Sequence, residues 1–538
     1  DFDRGSNAAA TRINSSGLIE KYRENVLLQS NQFDTTWTSQ LIGSITGSQN
    51  GFNDLPDAWL LTPTASSGQH HIRNNISSAP SGVYTFSAYV KAGGKGFAFL
   101  QCVDSGGGNF YGYFNLSDGS SSSNNYGGSG TIIQTTTQDV GGGWYRLLMT
   151  LNGSGSNSAR IGIANGAYTG AHSFSTSITD TIYIQSAQLQ TGLVATDYLN
   201  STSVTAKSGV LIDLPRINFD ANGENGALLL EPSRQQLFQY SEYFNTSYDL
   251  NTGTTLTDNY GISPEGVQNA TRYLGTGTSG FGKQYTLTNG ADYTISVYVK
   301  SNTSDTQYCR IVGDSSNLSS DLEVTTEWTK IDYTWTSGGL TNKTNGIFRD
   351  SSNNDIDILI FALQLEAGSY ATSYIPNHGE SGGVTRAADS CSVTGASDVI
   401  GQTEGTLFAE IDSSQFLSGS YISISDGTTD NRQIFGFESQ SGNSGALKLY
   451  GFWSGFSYGS FASGEKIKVA LAYKNNDFAL YVNGTQAGTN TGATISGTMS
   501  QFGFNSGASA QSYQGNIYQT ALFNERLTNA ELATLTTL

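Results

Sequence analysis

The chain has 538 residues, with 44 acidic against 26 Lys and Arg and a net charge of −18 at pH 7. That balance repels a phosphate backbone and no Lys/Arg cluster offers a local exception, which excludes nucleic acid as a partner. Charged residues make up only 13% and aromatics 11% beside 65 Gly, a composition that suits β-sandwich cores with polar turns and, at this length, about three domains.

In chain order, a linker over residues 1–22 carries Ala10-Thr11-Arg12-Ile13 and introduces a first module over 23–203. Period-two alternation predicts strands there at Val83–Lys91, Phe97–Cys102, Tyr145–Leu151 and Ile182–Leu189. A second linker, 204–232, holds Val204-Thr205-Ala206-Lys207, Pro215-Arg216-Ile217 and the apolar Ala227–Leu230. A Gly/Ser tether would lack Leu and Ile, so this segment is expected to pack on a neighbouring domain or chain and stiffen the tandem into a semi-rigid rod. The second module, 233–380, shows strands at Tyr293–Lys300, Lys330–Trp335 and Ile356–Leu365. Residues 381–391, with Val384-Thr385-Arg386-Ala387, lead into a third domain over 392–538. Strands are predicted there at Gly405–Asp412, Ser420–Asp426, Gln433–Glu438, Ala446–Trp453 and Ile467–Lys474, a hairpin at Asn475-Asn476, and a last strand at Gly515–Phe523. Thr528-Asn529-Ala530-Glu531 is a capping box that opens a short closing helix.

The two modules are one fold used twice. Leu18–Trp37 aligns without a gap on Leu229–Tyr248, Tyr84–Lys91 on Tyr293–Lys300, Trp144 on Trp328, and Gln188–Tyr198 on Gln364–Tyr374. Short alternating strands without helical periods predict an all-β chain: two superposable Greek-key jelly rolls, then a third sandwich. Recurrence places Trp144 and Trp328 in equivalent core positions. Cys102 and Cys309 read as small buried hydrophobes, and Cys391 lies in a linker, so the three cysteines make no disulfide framework. No apolar run has bilayer-spanning length, so no membrane insertion is expected. Numbering from Asp1 leaves room for a leader, propeptide or anchoring domain before it.

Catalytic motifs fail their contexts. Gly455-Phe456-Ser457-Tyr458-Gly459 matches a nucleophile elbow but leads into a polar turn, and Gly275–Gly280 matches a dinucleotide fingerprint but opens a strand. His70, His71, His172 and His378 lack metal spacing. Glu410 and Asp412 share a strand face without a recognisable motif, so no enzyme is expected. Asp350, Asn353 and Asp355, with Asp426 and Asp430, concentrate oxygen on loops and are candidate calcium ligands, the one cofactor considered. Candidate sugar-stacking rings are those the repeats do not share: Trp59, Tyr111, Tyr113, Trp453, Phe456 and Tyr458. The Trp453–Tyr458 loop makes the C-terminal domain the expected ligand site.

Ala10–Asn14 with Gly17–Glu20, Pro215-Arg216-Ile217, Leu228–Arg234 and Gln364–Gly368 through Tyr374-Ile375-Pro376 resemble segments of bacteriophage virion proteins. Such phrases flank carbohydrate-binding-module-like jelly rolls in tail fibres, receptor-binding proteins and head fibres. Lys468–Tyr473, Tyr481–Gly484 and the closing Gly515–Phe523 strand resemble a concanavalin A-like (laminin G-like) lectin domain. Ala206-Lys207 departs from the Thr-Arg of the other junctions. The resemblance implies a virion-surface protein that is held by other virion proteins on its N-terminal side and attaches to host-surface glycans. The alternatives are a non-binding decoration or connector protein, or the binding modules of a secreted glycan-active enzyme. Apolar linkers in need of cover, together with multivalent attachment, predict a homo-oligomer, with a trimer favoured.

Overall fold

A computed structural model describes residues 2–538 apart from 6–8, 78–80, 167–172, 246, 413–418, 440–446, 452–455, 459–460, 463 and 509–510, with backbone alone at 438–439, 447–451 and 456–458. The fold is all-β, with three antiparallel sandwiches and a closing helix at Asn529–Thr536 whose Thr528/Glu531 capping box is formed. In the first sandwich one sheet runs Thr131–Gly141, Trp144–Gly153, Gly82–Ala92, Ile182–Thr191, Ala58–Pro63, Ile42–Gln49. The facing sheet runs Ser121–Tyr126, Asn109–Asn115, Phe97–Asp104, Ser156–Ile163, His70–Asn75, Thr38–Gln40. Alternation turns Phe86, Ala88, Val90, Leu147 and Met149 inward from one sheet and Leu100, Cys102, Phe110, Phe114 and Ile161 from the other, all fully buried.

The second sandwich repeats that order: Thr329–Thr336, Asp292–Ser301, Ile356–Ala367, Ala270–Gly275, Thr254–Gly261 form one sheet. Even an irregularity recurs. The first module's ladder shifts register between Ser87 and Tyr89, where Ser186 has φ 52°. The second shifts between Ser296 and Tyr298, where Ala362 has φ 57°. A bulge held twice in the left-handed region by non-Gly residues has a structural purpose. The following amides, of Ala187 and Leu363, donate to Ser30 O at 2.9 Å and Ser241 O at 3.1 Å. The Ser30 and Tyr198 hydroxyls lie 2.6 Å apart, and those of Ser241 and Tyr374 2.5 Å. The amides of Leu189 and Leu365 donate to Asn25 Oδ1 and Gln236 Oε1 at 3.1 and 2.9 Å. These matched polar residues latch each module's two chain ends onto its sheet.

The matched tryptophans correct an expectation. Trp144 pairs with Lys91, and Trp328 precedes Thr329, which pairs with Val299; both therefore lie on the outer face of the sheet. Trp144 is buried against Ala58 and Tyr89, outside the main core. Trp328 is half-buried against Phe361 and Tyr374, its Nε1 donating to Ile262 O at 3.2 Å. Equivalent positions thus end with unequal burial.

The third sandwich is built partly from linkers. One sheet runs Phe2–Asp3, Ser390–Thr394, Gln501–Gly503, Ser420–Ser425, Arg432–Ser439, Leu447–Gly451, Phe456–Tyr458. The other runs Ile217–Asn218, Ala227–Leu230, Gly515–Phe523, Glu404–Asp412, Ile467–Lys474, Phe478–Val482, Thr485–Asn490. Leu228 pairs with Ile517, and Leu230 is buried in this core. The apolar linker is thus covered by its own chain, which removes the packing argument for a trimer. The junction phrases also change role. Ala206–Ser208 pairs with Arg23–Asn25 and Val384–Arg386 with Arg234–Gln236, so they close the preceding module and do not open the next. The N-terminal linker docks on the second module, with Ile19 N on Pro264 O at 2.9 Å and Thr11 Oγ1 on Tyr374 O at 2.7 Å. These segments are parts of neighbouring sandwiches, so the picture of a rod with spacers gives way to an interlaced one.

Arg4, Arg216 and Arg386 meet where the linkers converge, all fully buried. Arg216 and Arg386 each reach Glu231 at 2.8 Å, Arg216 also binds Asp389, and the Asp389 and Glu231 backbones bond to each other's residues at 2.9 Å. Burial alone would raise the Glu231 carboxyl; the Arg386 and Arg216 guanidiniums outweigh it and hold it well below the ordinary range.

Candidate functional site

The sequence motifs resolve into structural roles. Ser457 sits mid-strand opposite Tyr450, not on an elbow, and Gly275 and Gly280 bound a strand-to-strand turn. Glu410 faces Lys466 and Lys468 at 3.7 and 3.9 Å, while Asp412 accepts from Asn516 and Tyr518 at 2.9 and 2.6 Å. Buried His70 has ring nitrogens within reach of Leu41 O and Phe174 O, and His172 lies outside the described residues. Of the calcium candidates, Asp350 accepts from the Asn354 backbone and side chain at 2.9 and 2.6 Å, and Asn353 O accepts from Arg349. Asp355 and Asp430 are exposed, and Asp426 accepts from Thr428 and from Asn431 Nδ2 at 2.7 Å. These loops spend oxygen lone pairs on turn donors, the ordinary reason for Asp and Asn there. Among the described residues no three His, Cys, Asp or Glu side chains form a metal-binding group. Cys102 and Cys309 are fully buried, and burial pushes both thiols up to about 12.

A cavity of about 300 Å³ at the junction of the two modules is lined by Lys21, Glu242, Glu265, Asn269 and His378. Lys21 stands 2.8 Å from both Glu242 and Glu265, and Tyr374 donates to Glu242 at 2.7 Å. Burial would lower the lysine, but the two carboxylates outweigh it and raise it. This cluster of two carboxylates around one ammonium holds the linker against the second module.

The outer face of the Phe97–Asp104 sheet is different. Residues directly opposite in an antiparallel ladder share a face. The register therefore lines up Asn124, Tyr111, Gln101, Arg160 and Arg73 in one row and Ser122, Tyr113, Phe99, Gly162 and His71 in the next. Tyr111 and Tyr113 stack with centroids 5.9 Å apart and planes 12° apart, with Phe99 at 6.0 and 6.4 Å. The rings are 5% and 6% exposed, so they form a covered floor, unlike the open platform expected for a stacking ring. Arg73, Arg160, Asn124, Ser122 and Phe97 are half-buried around them. Gln69 Nε2 donates to the Tyr111 hydroxyl at 3.3 Å, Arg160 Nη1 to Gln101 Oε1 at 3.2 Å, and Gln101 Nε2 to Asn109 Oδ1 at 2.9 Å. Burial, with Arg160 and Arg73 nearby, pushes His71 down to about 4, so its ring is neutral at pH 7. His71 Nδ1, Arg73 Nε, Arg160 Nε and Ser122 Oγ are buried without a hydrogen-bond partner among the described residues. Half-buried Arg73, Arg160, Asn124 and Ser122 beside the Phe97 ring give this face capacity for a polar ligand with an apolar side.

No family model matches the chain, and no curated protein matches it. Among solved structures it is similar to the tandem CBM22-1–CBM22-2 domain of Paenibacillus barcinonensis Xyn10C, at 11% identity and TM-score 0.23, covering 68% of this chain and 100% of that one. It is also similar to the CBM22-1-bearing Clostridium thermocellum xylanase 10B complexed with xylohexaose (19% identity, TM-score 0.20, 26% and 29% covered). A third is domain 4 of the Geobacillus stearothermophilus arabinanase AbnA with arabinotriose (12% identity, TM-score 0.17, 58% and 100% covered). Likenesses this weak carry no argument about function, and the reading of the site rests on its own side chains.

Among the described side chains, the other candidate ring, Trp59, does not join this face. Trp59 is half-buried on the opposite sheet, edge-on to Phe33 at 6.3 Å, its Nε1 donating to Asn31 O at 2.9 Å. Trp453 lies outside the described residues, and Phe456 and Tyr458 belong to an edge strand paired with Leu449–Gly451. Sequence reasoning missed Phe99, Gln101, His71, Arg73 and Arg160. The available signal was period two: His71-x-Arg73 and Phe97-x-Phe99-x-Gln101 put unusual residues on the face opposite the core.

Proposed function

We propose that the protein binds carbohydrate on the outer sheet face of its first sandwich. The observation that carries this reading is the cluster of half-buried Arg73, Arg160, Asn124, Ser122 and Phe97 set on the stacked Tyr111/Tyr113 floor. The half-buried Phe97 ring offers an apolar surface to the C–H face of a pyranose, while Arg, Asn and Ser beside it bond the hydroxyls. The resemblance of the linker phrases to phage virion segments supports the setting. In this reading the chain sits on a virion surface, held by other virion proteins, and attaches to a host-surface glycan. It catalyses nothing itself, and incubation with host polysaccharide is expected to release no reducing ends. The test is affinity electrophoresis of the full chain in host-cell polysaccharide. Asn124→Trp, which fills the rim without emptying the floor, and Tyr113→Leu are each expected to weaken retardation at least tenfold. Tyr308→Ala, at a 46%-exposed ring on the second module, is expected to leave it unchanged. Full retardation of a folded Asn124→Trp protein would remove this face from the function.

A further inference from the structure

We infer that the glycan bound on this face is acidic, its carboxylate seated between Arg73 and Arg160; this rests on the carbohydrate reading above. The two arginines are direct partners in the ladder. Like charges placed opposite each other oppose pairing, and a pair kept this way has a use for an anion between its members. Neither guanidinium forms an ion pair among the described residues, whereas most other arginines of the molecule, including Arg4, Arg12, Arg216, Arg272 and Arg386, do.

The chain carries 44 acidic residues, yet the six strands of this sheet contain one, Asp104. Its carboxylate is committed to Gly108 N at 2.7 Å and Ser154 Oγ at 3.1 Å. The other titratable groups on the face are Tyr111, Tyr113, Tyr126 and His71, the last of them neutral at pH 7. The facing sheet is equally poor in acids, holding Asp139 alone, so what marks this face is a pair of guanidiniums without an ion pair among the described residues. A planar carboxylate is the anion a guanidinium fork fits best, and a uronic acid ring adds an apolar face for the half-buried Phe97. A sulfate ester shares the charge without the planar geometry, and a neutral glycan leaves both arginines unpaired.

The experiment is a glycan array probed with the full chain. It carries uronate-containing polysaccharides, their carboxyl-reduced counterparts, sulfated glycans and neutral glycans, with Arg73→Gln and Arg160→Gln variants checked for folding by thermal unfolding. The expected result is binding to uronate glycans that falls at least tenfold on carboxyl reduction, in either variant, and between low and 0.5 M salt. Equal binding to reduced and native glycans, with the Gln variants unaffected and Asn124→Trp inactive, would overturn the acidic preference and leave the carbohydrate reading standing. Preference for sulfated over uronate glycans would overturn the carboxylate assignment. Binding to no glycan would overturn both.

Discussion

Trp144 and Trp328 show how much one neighbouring segment changes a residue's worth. Trp144 is 3% exposed and Trp328 half-buried, so Trp144→Ala is expected to cost about 3–5 kcal/mol in the first module. Trp328→Ala should cost less than half of that in the second. Denaturant unfolding of the two variants checks this; equal losses would contradict the burial difference. Two histidines contribute to the response to acid. His71 and His378 are both pushed by burial from 6.5 to about 4. The unfolded chain takes up their protons first, so their stabilisation is complete above pH 6.5 and drains as pH falls towards 4. Glu231, depressed by Arg386 and Arg216, adds stability that is present above its ordinary 4.5 and is lost below it. Tm is expected to fall from pH 6.5 downward, and a His71→Gln/His378→Gln protein to lose only the portion between 6.5 and 4.

At the scale of elements, the strands were legible because alternation is local: Val83–Lys91 and Tyr293–Lys300 lie in equivalent strands, Gly82–Ala92 and Asp292–Ser301. What alternation cannot carry is the partner of an apolar strand distant in sequence. Ala227–Leu230 announced a need for cover, but its neighbour Gly515–Ile517 lies nearly at the other end of the chain. The candidate site was half legible for the same reason. Tyr111 and Tyr113 are two apart on one strand, whereas Arg73 and Arg160 reach them only through two further ladders. Leu230→Ala is expected to lower the stability of the third sandwich by about 2–5 kcal/mol, although it belongs to a linker by sequence. A fragment of residues 392–538 should expose the edge this strand covers and aggregate unless residues 214–232 are supplied. A monomeric, fully stable fragment would contradict the shared sheet.

For the whole molecule, buried charge ties the interlaced segments together. Removing one partner of a buried ion cluster leaves the others uncompensated, so Glu231→Gln should cost about 3–5 kcal/mol and loosen the second and third sandwiches together. Calorimetry showing two independent transitions unaffected by that change would contradict the coupling. The proposed sugar-binding face lies elsewhere, on the first sandwich. The most direct measurement is hydrogen–deuterium exchange of the full chain, free and saturated with the glycan it binds best. Protection concentrated in Phe97–Asp104, Asn109–Asn115 and Ser156–Ile163 is the predicted result. Protection confined to the third sandwich, with those three strands unchanged, would contradict the assignment of the sugar site to the first.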